Sequence, residues 1–152
     1  MESNWPFRHL GVVVRDIDKA VEYYQSLGAT VSRPEFMLDS STFLDYKVYQ
    51  RTPDTVDKTR MRSVELGSLT IELLQPFEGN PIYVDFLNTR GEGVQHIGFA
   101  VDDLDEETAK LAKKGISVAT MAKLPSGAAF AYFDTGKVGN MLTELHTAAA
   151  RG

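Results

Sequence analysis

Two histidines and two glutamates stand where the sequence pattern of a strand favours apolar residues. His9 and His96 each lie in a short run of apolar and small residues, and Glu72 and Glu144 each interrupt an apolar run. Carboxylates are rarely buried unless they are paired or bound to a metal. The chain has no cysteine, so a metal would be held by nitrogen and oxygen alone. Such a donor set suits Zn, Mn, Co, Ni or Fe(II), and we predict that these four residues bind one divalent cation.

The two-residue period of a strand separates each histidine from the bulky residues around it. His9 shares a strand face with Gly11, and His96 shares one with Gly98, whereas the intervening positions are bulky and apolar. The bulky faces suit packing against helices. The glycines leave room for a ligand to approach the strands on the histidine side.

The histidines belong to an internal repeat with an offset of 87 residues. Residues 8–18 align without a gap on residues 95–105, and the same offset carries Gly28 onto Gly115. Two copies related by a pseudo-twofold axis would bring the two histidines and the two glutamates together. The repeat therefore predicts two modules of the same fold.

Each copy reads as a strand, a helix and further strands. Asp16 and Asp103 stand at N-cap positions, and the repeated glycines stand where a helix ends in the left-handed conformation. Strands are predicted at about 7–14, 29–36, 60–66 and 69–75, and then at about 94–101, 116–122, 128–134 and 139–146. This order predicts an α+β fold of two tandem βαβββ modules that form a curved mixed sheet around the metal site.

The length of 152 residues fits a single domain spanning residues 1–152. Within it we predict module one at about 7–76, a linking helix at about 80–91 capped by Asn80, and module two at about 94–147.

Charge and composition narrow the class of partner. The net charge of −5 disfavours nucleic acid and anionic membranes as partners. The N-terminus lacks the basic start and apolar run of a signal peptide, and no stretch approaches the roughly 18 apolar residues of a membrane-spanning helix. We therefore expect a cytoplasmic protein that acts on a small molecule.

Several motifs resemble the vicinal oxygen chelate superfamily, which includes glyoxalase I, methylmalonyl-CoA epimerase, extradiol dioxygenases and fosfomycin- or bleomycin-resistance proteins. The resemblance covers nearly the whole chain and is closest to the methylmalonyl-CoA epimerase branch. The motifs that carry it are His9-Leu10-Gly11, Ile71-Glu72-Leu73-Leu74-Gln75-Pro76, Asn80-Pro81-Ile82, Gly91-Glu92-Gly93-Val94-Gln95-His96-Ile97 and Thr143-Glu144-Leu145. The resemblance implies a glyoxalase-like fold and the same four metal ligands. Members of the superfamily often pair through their sheets, so we also expect a homodimer, with Trp5-Pro6-Phe7 as an apolar edge for the partner.

The resemblance implies a metal-dependent epimerase or isomerase of the methylmalonyl-CoA epimerase type. Its substrate would be an acyl-CoA or α-oxo compound that reacts through a metal-stabilised enediolate. The catalytic residues would be Glu144 and Glu72, either of which could carry the α-proton, and a carboxylate or His146 would serve the opposite face. A glyoxalase I-like lyase is the alternative chemistry. A non-catalytic ligand-binding or resistance protein of the same fold is the alternative from another class.

Two departures from the epimerase pattern bear on the substrate. The stretch from His9 to Glu72 is longer than such epimerases lead us to expect, with the surplus in residues 39–58. The aromatic residues of this surplus predict an additional strand or hairpin, which we expect to form a wall of the substrate pocket. The epimerase pattern also has a glutamate before the strand that precedes the Glu72 strand. It has no clear match here, and Asp54 and Asp57 are the nearest carboxylates.

Overall fold

The structure, a computed structural model, describes residues 4–77, 79 and 81–148. These residues form three α-helices and ten strands of a mixed sheet. The strands are β1 (Phe7–Val13), β2 (Thr30–Val31), β3 (Phe36–Asp39), β4 (Asp45–Val48), β5 (Lys58–Leu66), β6 (Leu69–Pro76), β7 (Gly93–Ala100), β8 (Val118–Lys123), β9 (Ala129–Phe133) and β10 (Leu142–Thr147). The helices are α1 (Ile17–Ser26), α2 (Pro81–Arg90) and α3 (Leu104–Lys113), with a short 3-10 helix at Ser40–Thr42. The predicted α+β class and glyoxalase-like order of elements are confirmed, and the predicted cap Asn80 lies outside the described residues.

Equivalent caps begin the two repeated helices. The Asp16 carboxylate accepts a hydrogen bond from the Lys19 backbone at 3.1 Å, and the Asp103 carboxylate accepts one from the Glu106 backbone at 2.9 Å. Each bond satisfies one of the backbone N–H groups that a helix leaves without a partner at its start. Local chemistry therefore fixes where each module turns from strand to helix.

The chain separates into two compact units. The first, called here the N-terminal unit, comprises residues 9–41 and 55–95. Its strands lie in the order β2-β5-β6-β1, with β3 also paired to β5, and β1 runs parallel to β6. Helix α1 packs on one side of these strands over a core of Val14, Ile17, Val21, Ala29, Val64, Ile71 and Leu73. His9 and Glu72 lie on the other side of the strands.

The second unit, called here the C-terminal unit, comprises residues 4–8, 42–54 and 96–148 of the part of the chain that the structure describes. Its strands lie in the order β7-β10-β9-β8-β4, and β7 runs parallel to β10. Helix α3 packs on one side over a core of Leu104, Leu111, Ala131, Phe133 and Leu145. The unit therefore repeats the four-strand order of the first, and its fifth strand is β4, whereas the fifth strand of the first unit is β3.

Strand β4 comes from the surplus segment, and its pairing was not predicted. We call residues 42–54 the crossing segment, because they lie within the first module in sequence but belong to the C-terminal unit. Strand β4 pairs antiparallel with β8, with Asp45 opposite Lys123 and Val48 opposite Thr120. The predicted additional strand is thus present. It pairs with a strand of the second module and not with a strand of the first.

A two-residue turn in the crossing segment places Tyr49 and Gln50 at positive φ angles of 47° and 65°. It is closed by hydrogen bonds in both directions between Val48 and Arg51. Two positive φ angles are typical of type I′ turns, in which glycine and asparagine are preferred. A side chain in the left-handed region costs about 1–2 kcal/mol, so this turn is strained.

We expect Gln50→Gly to raise the free energy of unfolding by about 0.5–1 kcal/mol, because relief of strain exceeds the added freedom of the unfolded chain. Urea unfolding monitored by circular dichroism measures the change. Gln50→Ala is the matched control and should give no gain, since alanine retains the Cβ. A glycine variant that is less stable than the original protein would contradict the strain argument.

Trp5 packs on its own unit. Its ring lies 5.8 Å from the ring of Phe99, and its indole N–H donates a 3.0 Å hydrogen bond to the Glu107 carboxylate. Hydrogen bonds from Lys110 and Trp5 hold the pKa of Glu107 below its ordinary value. Phe7 remains 43% exposed. The homodimer stays a prediction, and Phe7, not Trp5, is the residue at this edge that a partner could cover.

Within the described ranges, no helix is long and apolar enough to cross a membrane.

Candidate metal centre

The N-terminal unit holds the first histidine–glutamate pair. Nε2 of His9 lies 3.6 Å from Oε2 of Glu72. The pair forms because β1 and β6 are parallel in a register that places Glu72 beside Gly11, two residues after the histidine. Ser63 on β5 lies on the other side of Glu72. A carboxylate and an imidazole are therefore held together on the side of the strands away from α1.

The C-terminal unit holds the second pair in the same arrangement. Nε2 of His96 lies 2.8 Å from Oε2 of Glu144. Strands β7 and β10 are again parallel, and their register places Glu144 beside Gly98, again two residues after the histidine. His96 is fully buried, and the Glu144 side chain is 8% exposed. The sequence repeat is thus also a repeat of site geometry.

The chemistry of both pairs fits a divalent cation. Each pair offers an imidazole nitrogen and a carboxylate oxygen, and a carboxylate as buried as Glu144 is costly unless a positive charge or hydrogen bonds offset the loss of water. Each unit thus holds two of the four residues that could serve as metal ligands, namely His9 and Glu72 in one and His96 and Glu144 in the other. Two nitrogens and two carboxylate oxygens are a set that Zn, Mn, Co, Ni and Fe(II) accept.

The strand register of the C-terminal unit places further side chains on the face that carries His96 and Glu144, which we call the ligand face. Along one row across the strands, Tyr132 lies beside Glu144, Thr120 lies beside Tyr132, and Val48 lies beside Thr120. The next row contains His146, Phe130, Ala122 and Tyr46. Alternate residues of the same strands point to the opposite face and pack with α3. One face of the unit is therefore structural, and the other is polar and aromatic.

Four aromatic rings form a continuous series on this face that ends at His96. The Tyr132 ring lies 4.8 Å from the His96 ring and 5.7 Å from the Phe130 ring. Phe130 lies 6.1 Å from Phe43, which lies 5.2 Å from Tyr46. Sequence reasoning did not assign Phe130 and Tyr132 to the site. The signal that could have found them is their two-residue spacing on a strand that pairs with a ligand strand.

The three groups predicted to supply a second proton differ in position. Asp57 precedes β5 by one residue, whereas the β5 neighbour of Glu72 is Ser63. Six residues of extended strand span roughly 20 Å, so Asp57 is too far from Glu72 for the two carboxylates to act on the same carbon. Asp54 is exposed and lies between strands. Of the three, His146 has the support of register, because it shares the ligand face with Glu144 two residues away.

Comparisons with known proteins agree with this fold. Residues 8–133 match the family model of the Glyoxalase/Bleomycin resistance protein/Dioxygenase superfamily, and the chain belongs to this superfamily. No match was found among curated protein sequences.

Solved structures of methylmalonyl-CoA epimerases are similar in fold. The enzyme from Mycobacterium tuberculosis is 22% identical with a TM-score of 0.69, and the match covers 99% of this chain and 94% of that one. A methylmalonyl-CoA epimerase in complex with methylmalonyl-CoA and NH4+ is 24% identical with a TM-score of 0.65, covering 97% of both chains. A mutant of 4-hydroxymandelate synthase from Streptomyces coelicolor is 16% identical with a TM-score of 0.64, covering 97% of this chain and 49% of that one. At these identities the likeness establishes the fold and not the reaction.

Proposed function

We propose that this protein is a metal-dependent epimerase or isomerase of the methylmalonyl-CoA epimerase type. Its substrate would be an acyl-CoA or related compound with an acidic carbon next to a carbonyl. The observation that carries the proposal is the repeated pairing of a buried histidine with a glutamate, at 3.6 Å in one unit and 2.8 Å in the other. Fold similarity to methylmalonyl-CoA epimerases supports the choice of reaction.

We assign His9, Glu72, His96 and Glu144 as the ligands of one divalent cation, of which Co, Mn, Zn, Ni and Fe are the candidates. When bound, the cation would act as a Lewis acid towards the substrate oxygens and make the α-proton more acidic. The small residues Gly11 and Gly98 lie beside the two glutamates and leave space for the substrate.

Proton removal is assigned to a glutamate of the site. Glu144 is the preferred base because its carboxylate is largely excluded from water, which raises the strength of its interactions with a reacting group. Glu72 is the alternative, since the repeat gives it the same relation to a histidine. Each carboxylate would accept and release a proton while it stays close to its neighbouring imidazole. The imidazole helps to hold the carboxylate in position.

Inversion requires a second group that returns the proton to the other side of the carbon. His146 is the candidate, since it shares the ligand face with Glu144 and an imidazole can both accept and donate a proton. It lies roughly 7 Å along the strand from Glu144, far enough for a reacting carbon to lie between the two groups.

For the metal-loaded protein in D2O, we expect solvent deuterium at C2 of methylmalonyl-CoA together with inversion of that centre. His146→Gln should lower the rate of inversion by about 10²-fold or more while exchange by Glu144 continues. Mass spectrometry measures exchange, and coupling to an enzyme specific for one epimer measures inversion. Glu22→Gln on the exposed surface of α1 is the control and should change neither rate.

Two outcomes would favour the alternatives. Exchange without inversion in the original protein would indicate a single base and favour a glyoxalase I-like lyase. A protein that binds no divalent cation, and exchanges no α-proton, would favour the non-catalytic ligand-binding class.

A further inference from the structure

We propose that the ligand face of the C-terminal unit contains a subsite for an aromatic acyl group, formed by Phe43, Phe130 and Tyr132 with the hydroxyl of Thr120. This inference rests on the proposed function in one respect only, namely that the proposed metal site holds the substrate oxygens. It adds a substrate class, namely compounds with a phenyl-sized group next to the chelating oxygens, which would bind more tightly than compounds with a methyl group there.

The aromatic series supports this subsite through its position and its incomplete burial. Tyr132 is buried against His96, whereas Phe130 and Phe43 are only half-buried. These rings belong to the face opposite the α3 core, so packing of the unit's own core does not explain them. Rings of this kind attract another ring with centroids about 4.5–7 Å apart, the spacing already present along the series.

A buried hydroxyl on the same face is the second observation. Thr120 is 5% exposed, and within the described residues its Oγ1 makes no hydrogen bond. By register it lies between Tyr132 and Val48, in the row that begins at Glu144. Buried polar atoms normally have a hydrogen-bond partner, because losing water without replacement is unfavourable. A polar atom of a bound substrate would supply that partner.

The crossing segment explains why this chain would differ in specificity from a protein with the two modules alone. It contributes Phe43, Tyr46 and Val48 to the ligand face, next to residues of β8 and β9. A methyl-sized group bound near His96 would leave Phe130 and Phe43 uncovered. A phenyl-sized group would cover them and remove additional apolar surface from water.

The test uses two 2-oxo acids that present the same chelating oxygens, phenylglyoxylate and pyruvate. Isothermal titration calorimetry with the full chain loaded with Mn²⁺ should give an affinity for phenylglyoxylate about tenfold or more above that for pyruvate. In Phe130→Ala this preference should fall below about threefold. Tyr23→Ala, which removes an exposed ring on α1, is the matched control and should keep the full preference.

Thr120→Val separates a binding role from a structural one, because it keeps the shape of the side chain and removes only the hydroxyl. We expect the melting temperature without ligand to rise and the affinity for phenylglyoxylate to fall about fivefold. Equal affinities for the two acids, or a preference unchanged in Phe130→Ala, would overturn the subsite and leave the proposed epimerase intact. A protein that retains Mn²⁺ but binds neither acid would also overturn the subsite, whereas the epimerase is refuted separately, by the absence of α-proton exchange with methylmalonyl-CoA.

Discussion

Replacing Glu144 by glutamine is expected to slow α-proton exchange by about 10³-fold while the chain stays folded. The amide keeps the size of the carboxylate and can still hydrogen-bond to His96, so packing around the 2.8 Å contact is preserved. It has no basic oxygen to accept a proton, and loss of a positioned general base typically costs 10²–10⁴-fold in rate. It also removes one of the two negative charges that the proposed ligand set offers a cation.

Comparing Glu72→Gln with Glu144→Gln identifies which of the two carboxylates removes the α-proton. Both variants should be compared at equal metal occupancy, established by elemental analysis, with deuterium incorporation into methylmalonyl-CoA as the readout. A loss confined to Glu144→Gln assigns that residue as the base, whereas the reverse assigns Glu72. Unchanged exchange in both variants would show that neither carboxylate removes the proton and that the proposed mechanism is wrong.

A saturating divalent cation is expected to raise the melting temperature of the protein by about 8–16 °C. A ligand that binds only the folded state stabilises it by about 4 kcal/mol at a free concentration 1,000 times its dissociation constant. For a domain of this size each kcal/mol corresponds to about 2–4 °C. The effect should be large here because the proposed ligands come from strands β1, β6, β7 and β10, which unfolding would separate.

His96→Ala should abolish this metal-dependent rise. Because His96 is fully buried, the variant also leaves a cavity beside Glu144 and lowers stability without metal. His9→Ala is therefore a second test, since His9 is 8% exposed and its loss disturbs the core less. Differential scanning calorimetry with Mn²⁺ and with a chelator gives the shift for each variant. His146→Gln should retain the shift, and persistence of the full rise in both ligand variants would refute the ligand assignment.

The candidate site residues could be proposed from the sequence because their signals are local and occur twice. His9 and His96 each precede a glycine by two residues, and each strand is followed by an aspartate that caps a helix. Capping and strand alternation depend on near neighbours in the chain, so they need no knowledge of the tertiary structure. For the same reason, the α+β order of elements was predictable from the repeat.

The sequence did not reveal which strands become neighbours. The register that sets Glu144 beside Gly98, and Tyr132 beside Glu144, depends on pairings between residues far apart in the chain. Only the structure places the crossing segment on β8 and so brings its aromatic residues to the ligand face. The structure also shows that two candidates for the second proton-transfer group differ in position. His146 lies on the ligand face, whereas Asp57 lies roughly 20 Å along a strand from Ser63, the β5 neighbour of Glu72. Periodicity assigns a side chain to a face, but only the packed strands determine which other side chains share it.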